Sequence, residues 1–152
     1  MSLVGCRLGP YDVASLLGAG GMGEVYKARD TCLDRTVAIK IIPAGFASDA
    51  IAKQRFEREA RSIAALSHPH ICALFDVGHQ DGVDFLVMEF LEGRTLAARL
   101  SEGAVPLTEG LAYAIEIADA LAALHRAGIV HRDLKPGNIM ITTSGAKLRD
   151  AF

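Results

Sequence analysis

The sequence predicts an α+β fold, with strands dominating the first ninety or so of its 152 residues and helices the remainder. Three observations point there. Thr36–Ile42 is apolar at nearly every position and ends at Pro43, as a strand buried on both faces would. From Asp49 the period changes, and Ala52, Phe56, Ala60, Ile63 and Leu66 recur at helical spacing among Arg55, Glu57, Arg58 and Arg61. Beyond Gly93 a second, longer helical pattern takes over, with only two small strands after it.

In chain order, Tyr11–Leu17 and Glu24–Arg29 are short strands joined by a glycine cluster. Thr36–Ile42 is the third strand, and the helix Asp49–Leu66 is stopped by Ser67-His68-Pro69. Ile71–Val77 and Val83–Met88 follow as strands around the turn-rich Gly78–Gly82. Thr95–Leu100 is a short helix closed by Ser101–Gly103. Thr108 then serves as N-cap of a helix with Glu109 in its first turn. Leu111, Ile115, Ala118, Leu121, Ala122 and His125 line one face of it, and Gly128 ends it in the left-handed conformation. Ile139–Ile141 and Ala146–Leu148 are small strands joined by Thr142–Gly145. No internal repeat or low-complexity segment interrupts this order, and the halves divide near Glu89–Gly93.

Composition excludes several classes. Sixteen basic against eighteen acidic side chains leave a net charge of −2, so no global attraction to nucleic acid or anionic membranes is expected. Three scattered cysteines, Cys6, Cys32 and Cys72, make neither a disulfide framework nor a metal site and fit a reducing compartment. The most apolar window, Leu111 to Val130, carries Glu116, Asp119 and Arg126, so no membrane helix is predicted and a cytoplasmic location is expected.

Three motifs carry chemistry. Gly18-Ala19-Gly20-Gly21-Met22-Gly23 fits G-x-G-x-x-G, a spacing that dinucleotide folds share. Those folds place a helix after the glycines, whereas Glu24-Val25-Tyr26-Lys27-Ala28 has the two-residue period of a strand. A glycine hairpin between strands can lay bare amides along polyphosphate oxygens, although by itself it reads equally as an ordinary turn. Val37-Ala38-Ile39-Lys40 puts an ammonium inside an apolar strand, where it needs an anion. A phosphate would serve, and so would Glu59 on the inward stripe of the following helix. The alternative for Glu59 is a surface pair with Arg55, four residues earlier. The third motif, His131-Arg132-Asp133-Leu134-Lys135-Pro136-Gly137-Asn138, supplies what phosphoryl transfer requires: a carboxylate for the hydroxyl proton, a cation for the γ-phosphate and an amide oxygen for Mg²⁺.

With these motifs in this order, the sequence resembles the eukaryotic-like protein kinases over about Tyr11 to Asp150. Gly20-Gly21-Met22-Gly23-Glu24-Val25-Tyr26 is similar to their bacterial serine/threonine branch, and Lys135 is the serine/threonine-type residue. The resemblance implies a protein-kinase-like fold: a five-stranded antiparallel N-lobe sheet with one long helix, plus an incomplete, mainly helical C-lobe. It implies a tail over residues 1–10, the N-lobe over 11–91 and a partial C-lobe over 92–152. Gly18–Gly23, with Gly18, Gly20 and Gly23 at its glycine positions, would cover the ATP phosphates, Leu17 would also line the ATP site, and Lys40 would hold the α- and β-phosphates, locked by Glu59. Val25, Ala38 and Met140 would sandwich the adenine, with Met88 as gatekeeper and the backbone of Glu89 and Leu91 on the purine. Asp133 would be the catalytic base, Lys135 the γ-phosphate contact, and Asn138 and Asp150 the ligands of Mg²⁺ or Mn²⁺. Arg132 marks a type usually switched by phosphorylation of an activation loop. The partners implied are ATP and a protein carrying Ser or Thr, with no nucleic acid.

The pattern departs from the family at Lys147-Leu148-Arg149-Asp150-Ala151-Phe152, where Phe-Gly and everything after it are missing. A truncated kinase is therefore expected, with self-association through the uncovered C-lobe face. The alternative is a catalytically inactive kinase-like fragment that binds only nucleotide or a protein partner. His68 and His70 read as packing residues rather than metal ligands, and Arg55, Arg58 and Arg61 as a solvated helix face.

Overall fold

The computed structural model describes residues 2–20, 23–43 and 49–149. The chain forms two units, Met1–Ala60 with Leu74–Phe90 and Arg61–Ala73 with Leu91–Phe152.

The first unit is built on a six-stranded sheet in the order β1-β2-β3-β4-β6-β5. The strands are β1 (Arg7–Leu8), β2 (Tyr11–Gly20), β3 (Gly23–Asp30), β4 (Arg35–Ile42), β5 (Leu74–Gln80) and β6 (Val83–Glu89), all paired antiparallel. Five strands were expected. The sixth, β1, comes from what reads in sequence as a tail. Arg7 pairs with Asp12 and Leu8 with Tyr11, and Leu8 is buried in the core. Gln80 clasps this end: its amide oxygen accepts from Gly9 N–H at 2.6 Å and its Nε2 donates to Arg7 O at 2.9 Å.

Strand alternation sorts the side chains into two sets. Tyr26, Ala28, Val37, Ile39, Phe85 and Val87 form one core with Leu8, Tyr11 and Val13. Each large side chain fully buried there contributes about 1.5–3 kcal/mol of apolar transfer. The alternate positions, Val25, Lys27, Ala38, Lys40, Leu86 and Met88, share the other face through the registers Val25↔Lys40, Lys27↔Ala38, Ala38↔Met88 and Lys40↔Leu86. The continuous apolar run of β4 is thus explained, since Val37 to Lys40 are all buried.

One strand differs from the periodicity at both ends, running over Leu74–Gln80 where Ile71–Val77 was expected. Ile71 does not start a strand of this sheet; it bridges Leu148 in the second unit, and β5 begins at Leu74. The turn Asp81-Gly82 has φ of +54° and +77°, the two left-handed residues of a tight hairpin that matches strand twist.

Helix α1 (Ala50–Ala64) begins at Asp49, whose carboxylate accepts from Ile51 N–H at 3.0 Å, and crosses the division at Ala60. Ala60 and Ile63 are its buried positions, on the stripe that the sequence predicts.

The second unit holds β7 (Arg94–Thr95), α2 (Leu96–Leu100), α3 (Leu107–Arg126), β8 (Ile139–Thr142) and β9 (Gly145–Leu148), with β7-β8-β9 forming a three-stranded sheet. Thr95 caps α2 by accepting from Ala98 N–H at 3.0 Å. Helix α3 starts one residue before Thr108, with Pro106 at the cap position and no side-chain capping bond, so Thr108 is not its N-cap. Its end is as predicted: Gly128 has φ +78°, its N–H donates to His125 O and the N–H of Ile129 donates to Leu124 O. This paired bond set stops the helix, and buried Leu124 and Ile129 flank it.

The buried stripe of α3 is not the one expected. Ile117, Ala120, Ala123 and Leu124 are buried, whereas Leu111, Ile115, Ala118 and His125 are exposed. The helix is apolar on two sides, and periodicity alone does not choose between them. On its way past, α3 receives two histidines: His68 Nε2 lies 3.0 Å from the Asp119 carboxylate, and His70 Nδ1 lies 3.1 Å from that of Glu116 and 2.8 Å from Ala146 O. Both histidines are held by these polar contacts to α3 and β9. No helix among the described residues is long and apolar enough to cross a membrane.

Candidate active site

In the first unit, the two ends of the glycine turn face each other as Gly20↔Gly23, and Gly18 stands opposite Val25. Gly21 and Met22 lie outside the described residues. Gly23 must be glycine: its φ is +105°, and a Cβ there would sit 2.4 Å from the main-chain oxygen of Ile41. Gly18 has no such constraint, since a Cβ there would meet nothing within 4 Å. Leu17 is exposed on β2.

Lys40 is 6% exposed, between Val25 of β3 and Leu86 of β6. Ala38 is buried two residues earlier, and its neighbour Met88 is half-buried, as is Glu89. Lys27, on the same face, holds its ammonium 5.0 Å from the centre of the Phe90 ring. The expected pairing of Lys40 with Glu59 is not formed. Lys40 is engaged, but among the described residues no ion pair involves Glu59. Glu59 is only half-buried on α1, so water can solvate its carboxylate without help from the ammonium. Nor does Arg55 pair with it.

In the second unit, the loop after Val130 is organised by its own hydrogen bonds. Pro136, whose ring presets φ, opens a single 3₁₀ turn over Pro136–Asn138, closed by Asn138 N–H on Lys135 O at 2.9 Å. The turn brings buried Asn138 back to Asp133. Asn138 Nδ2 donates to Asp133 O at 2.7 Å and to its carboxylate at 3.1 Å, and Lys135 Nζ lies 3.3 Å from the same carboxylate oxygen. Three of the predicted residues, Asp133, Lys135 and Asn138, therefore meet at one carboxylate. The Lys135 ammonium holds the Asp133 carboxyl below the ordinary carboxylate range, desolvation opposes it less strongly, and the Asn138 amide adds a lesser lowering.

His131 is buried, and its protonation follows from its neighbours. Its Nδ1 accepts from Asp133 N–H at 3.2 Å, so Nε2 carries the proton and donates to Arg149 O at 3.0 Å. Leu91 is half-buried and Met140 is buried on β8, both in the second unit. Asp150 lies outside the described residues.

Two contributors were not assigned a role from sequence. His131 stood in the motif without one, and its i to i+2 bond to Asp133 N–H is the local signal that could have supplied it. Arg149 donates through Nη2 and Nε to Gly137 O at 2.8 and 3.2 Å, a contact across twelve residues that no local pattern announces.

A glycine-turn sheet bearing a buried lysine, and a loop converging on one carboxylate, define the class. The protein kinase domain family matches residues 11–151, and the chain belongs to that family. Among relatives, it is 46% identical over 143 residues to the serine/threonine-protein kinase PknH of Mycobacterium tuberculosis, covering 93% of this chain and 23% of that protein. It is 42% identical over 145 residues to the serine/threonine-protein kinase PrkC of Bacillus subtilis, covering 94% of this chain and 22% of that one. The crystal structure of the Mycobacterium tuberculosis PknI kinase domain superposes with a TM-score of 0.87 at 30% identity, over 97% of this chain and 60% of that domain. The chain thus spans under a quarter of the length of these curated relatives. Its relatives are serine/threonine protein kinases, a family that uses ATP and Mg²⁺.

Proposed function

We propose that this chain supplies the nucleotide-binding and catalytic-loop parts of a serine/threonine protein kinase and takes part in transfer of the ATP γ-phosphate to a protein hydroxyl. The observation that carries this reading is the convergence of Lys135 and Asn138 on the Asp133 carboxylate.

In that reaction the substrate hydroxyl oxygen bonds to the γ-phosphorus, the bond from that phosphorus to the β-bridging oxygen breaks, and the hydroxyl proton passes to Asp133. A carboxylate whose affinity for protons is low acts mainly by orienting the hydroxyl and takes the proton late. Lys135 offsets charge at the transferred group. The residues fit a divalent ion: with Nδ2 committed to Asp133, the Asn138 amide oxygen accepts no hydrogen bond among the described residues and is the hard donor Mg²⁺ prefers. Asn138 and Asp150 would hold the ion, which when bound neutralises phosphate charge. Lys40 would hold the α- and β-phosphates. Gly18, Gly20 and Gly23 would present main-chain amides to phosphate oxygens, with Leu17 and Val25 beside them. Ala38, Met88, Glu89, Leu91 and Met140 would contact the base.

Mg-ATP binding and transfer of radiolabelled γ-phosphate, measured for the wild type and Lys40→Met, test the reading. Binding and transfer that fall at least tenfold in the variant are expected. Absence of nucleotide binding in the wild type, or transfer that Lys40→Met leaves unchanged, overturns it. Binding without transfer assigns a nucleotide-binding role alone.

A further inference from the structure

We propose that Arg149 is a positioning residue for the loop that carries Asp133 and Asn138, pinning the peptide between Gly137 and Asn138 so that Asn138 stays on Asp133. This rests on the reading of that loop as the phosphoryl-transfer site.

Arg149 touches the loop at both ends. Its carbonyl accepts from His131 Nε2 at 3.0 Å, and its N–H donates to Asn138 O at 2.9 Å. Those bonds use only the main chain. The side chain adds something specific: Nη2 and Nε both donate to Gly137 O, at 2.8 and 3.2 Å. Two donors fixed in one plane define a direction for the carbonyl as well as a distance. Arg149 is half-buried and has no carboxylate partner among the described residues, so a surface ion pair does not account for it.

Gly137 is where such a pin is needed. A Cβ there would meet nothing within 4 Å, so no neighbour packs on that side; the Asn138 N–H bond to Lys135 O holds one edge of this peptide plane and the Arg149 side chain holds the carbonyl edge. Because the peptide group is planar, turning the Gly137 carbonyl also turns the N–H of Asn138 and displaces its side chain. The chain of action runs from Arg149 through Gly137 to Asn138, and from Asn138 to the Asp133 carboxylate.

The test is nitrogen-15 NMR of the full chain as wild type, Arg149→Met and Arg149→Lys, without nucleotide or metal. The side-chain amide of Asn138 is the principal readout and the ring Nε2–H of His131 the internal reference. In Arg149→Met the Asn138 side-chain protons are expected to exchange with water about tenfold faster, the effect of one lost hydrogen bond. The His131 ring, held by a main-chain carbonyl, keeps its Nε2–H signature. Arg149→Lys, with one donor direction, recovers part of the protection. A role in stability alone would lower the unfolding midpoint and leave the Asn138 amide as in the wild type, and that result overturns the proposal. Should Arg149→Met fail to fold, Arg149→Lys decides: intermediate exchange supports the pin, and wild-type exchange overturns it. The readout needs no reaction, so loss of transfer in every variant would count against the kinase reading and not against this one.

Discussion

The side-chain amide of Asn138 donates to two atoms of one residue, the main-chain carbonyl of Asp133 at 2.7 Å and its carboxylate at 3.1 Å. Asn138 is buried, so removing its amide leaves a carbonyl without its donor. Asn138→Ala is expected to lower the unfolding free energy by about 1–3 kcal/mol, read by urea denaturation. A change below ~0.5 kcal/mol would show that water replaces the amide without penalty.

The two outer glycines of the β2–β3 hairpin should separate folding from the proposed nucleotide binding. Gly23→Ala forces a side chain into φ +105° and against the Ile41 carbonyl. A loss of roughly 1–3 kcal/mol of stability is expected. Gly18→Ala meets open space and should stay within about 0.5 kcal/mol of the wild type. If Gly18 covers phosphate, its variant nevertheless loses nucleotide affinity, measurable by calorimetry on a protein of unchanged melting temperature.

Leu107 and Ile115 are 77% and 71% exposed on α3, with Leu111 between them at helical spacing. Self-association through this stripe is expected, because contiguous apolar surface favours burial against a second copy. Sedimentation velocity should show a mass that rises with concentration in the wild type. The double variant Leu111→Asp, Ile115→Asp should sediment as a monomer; if both proteins sediment alike, the stripe does not mediate association.

All three tyrosines resist ionisation. Tyr11 is raised by burial and by its bond to Asp76, Tyr26 by its bond to Glu24, and Tyr113 by its bond to Glu109. A group whose folded pKa lies above its unfolded value stabilises fully below the unfolded value, near pH 10, and loses that contribution as pH rises through the folded one. Tyrosinate absorbance should therefore stay low past pH 10 and then rise together with loss of near-ultraviolet circular dichroism. A smooth rise centred at pH 10 in folded protein would contradict the three contacts.

Much of the first unit was legible because its signals are local. The apolar run of β4, the alternation of β3 and the glycines at the turn each act within a few residues. The geometry of the loop after Val130 was legible for a similar reason: Pro136 closes a tight turn, so Asp133 and Asn138 meet across five residues. What failed was the choice between equivalent faces or partners. The tail residues Arg7 and Leu8 gained a strand only because β2 offered an edge and a core lay beneath. The Lys40–Glu59 pair required two distant elements to approach within ion-pair distance.

The amino-acid order alone settled the strands β2 to β4, the helices α1 to α3 in outline, and which residue types gather in the loop after Val130, because backbone conformation responds to near neighbours. Only the folded chain decided which stripe of α3 is covered, that His68 and His70 meet Asp119 and Glu116, and that Arg149 returns to Gly137. Those contacts join residues far apart along the backbone. Their free energy exists only once the intervening chain has closed, and no periodicity in the letters can specify a distance that closure creates.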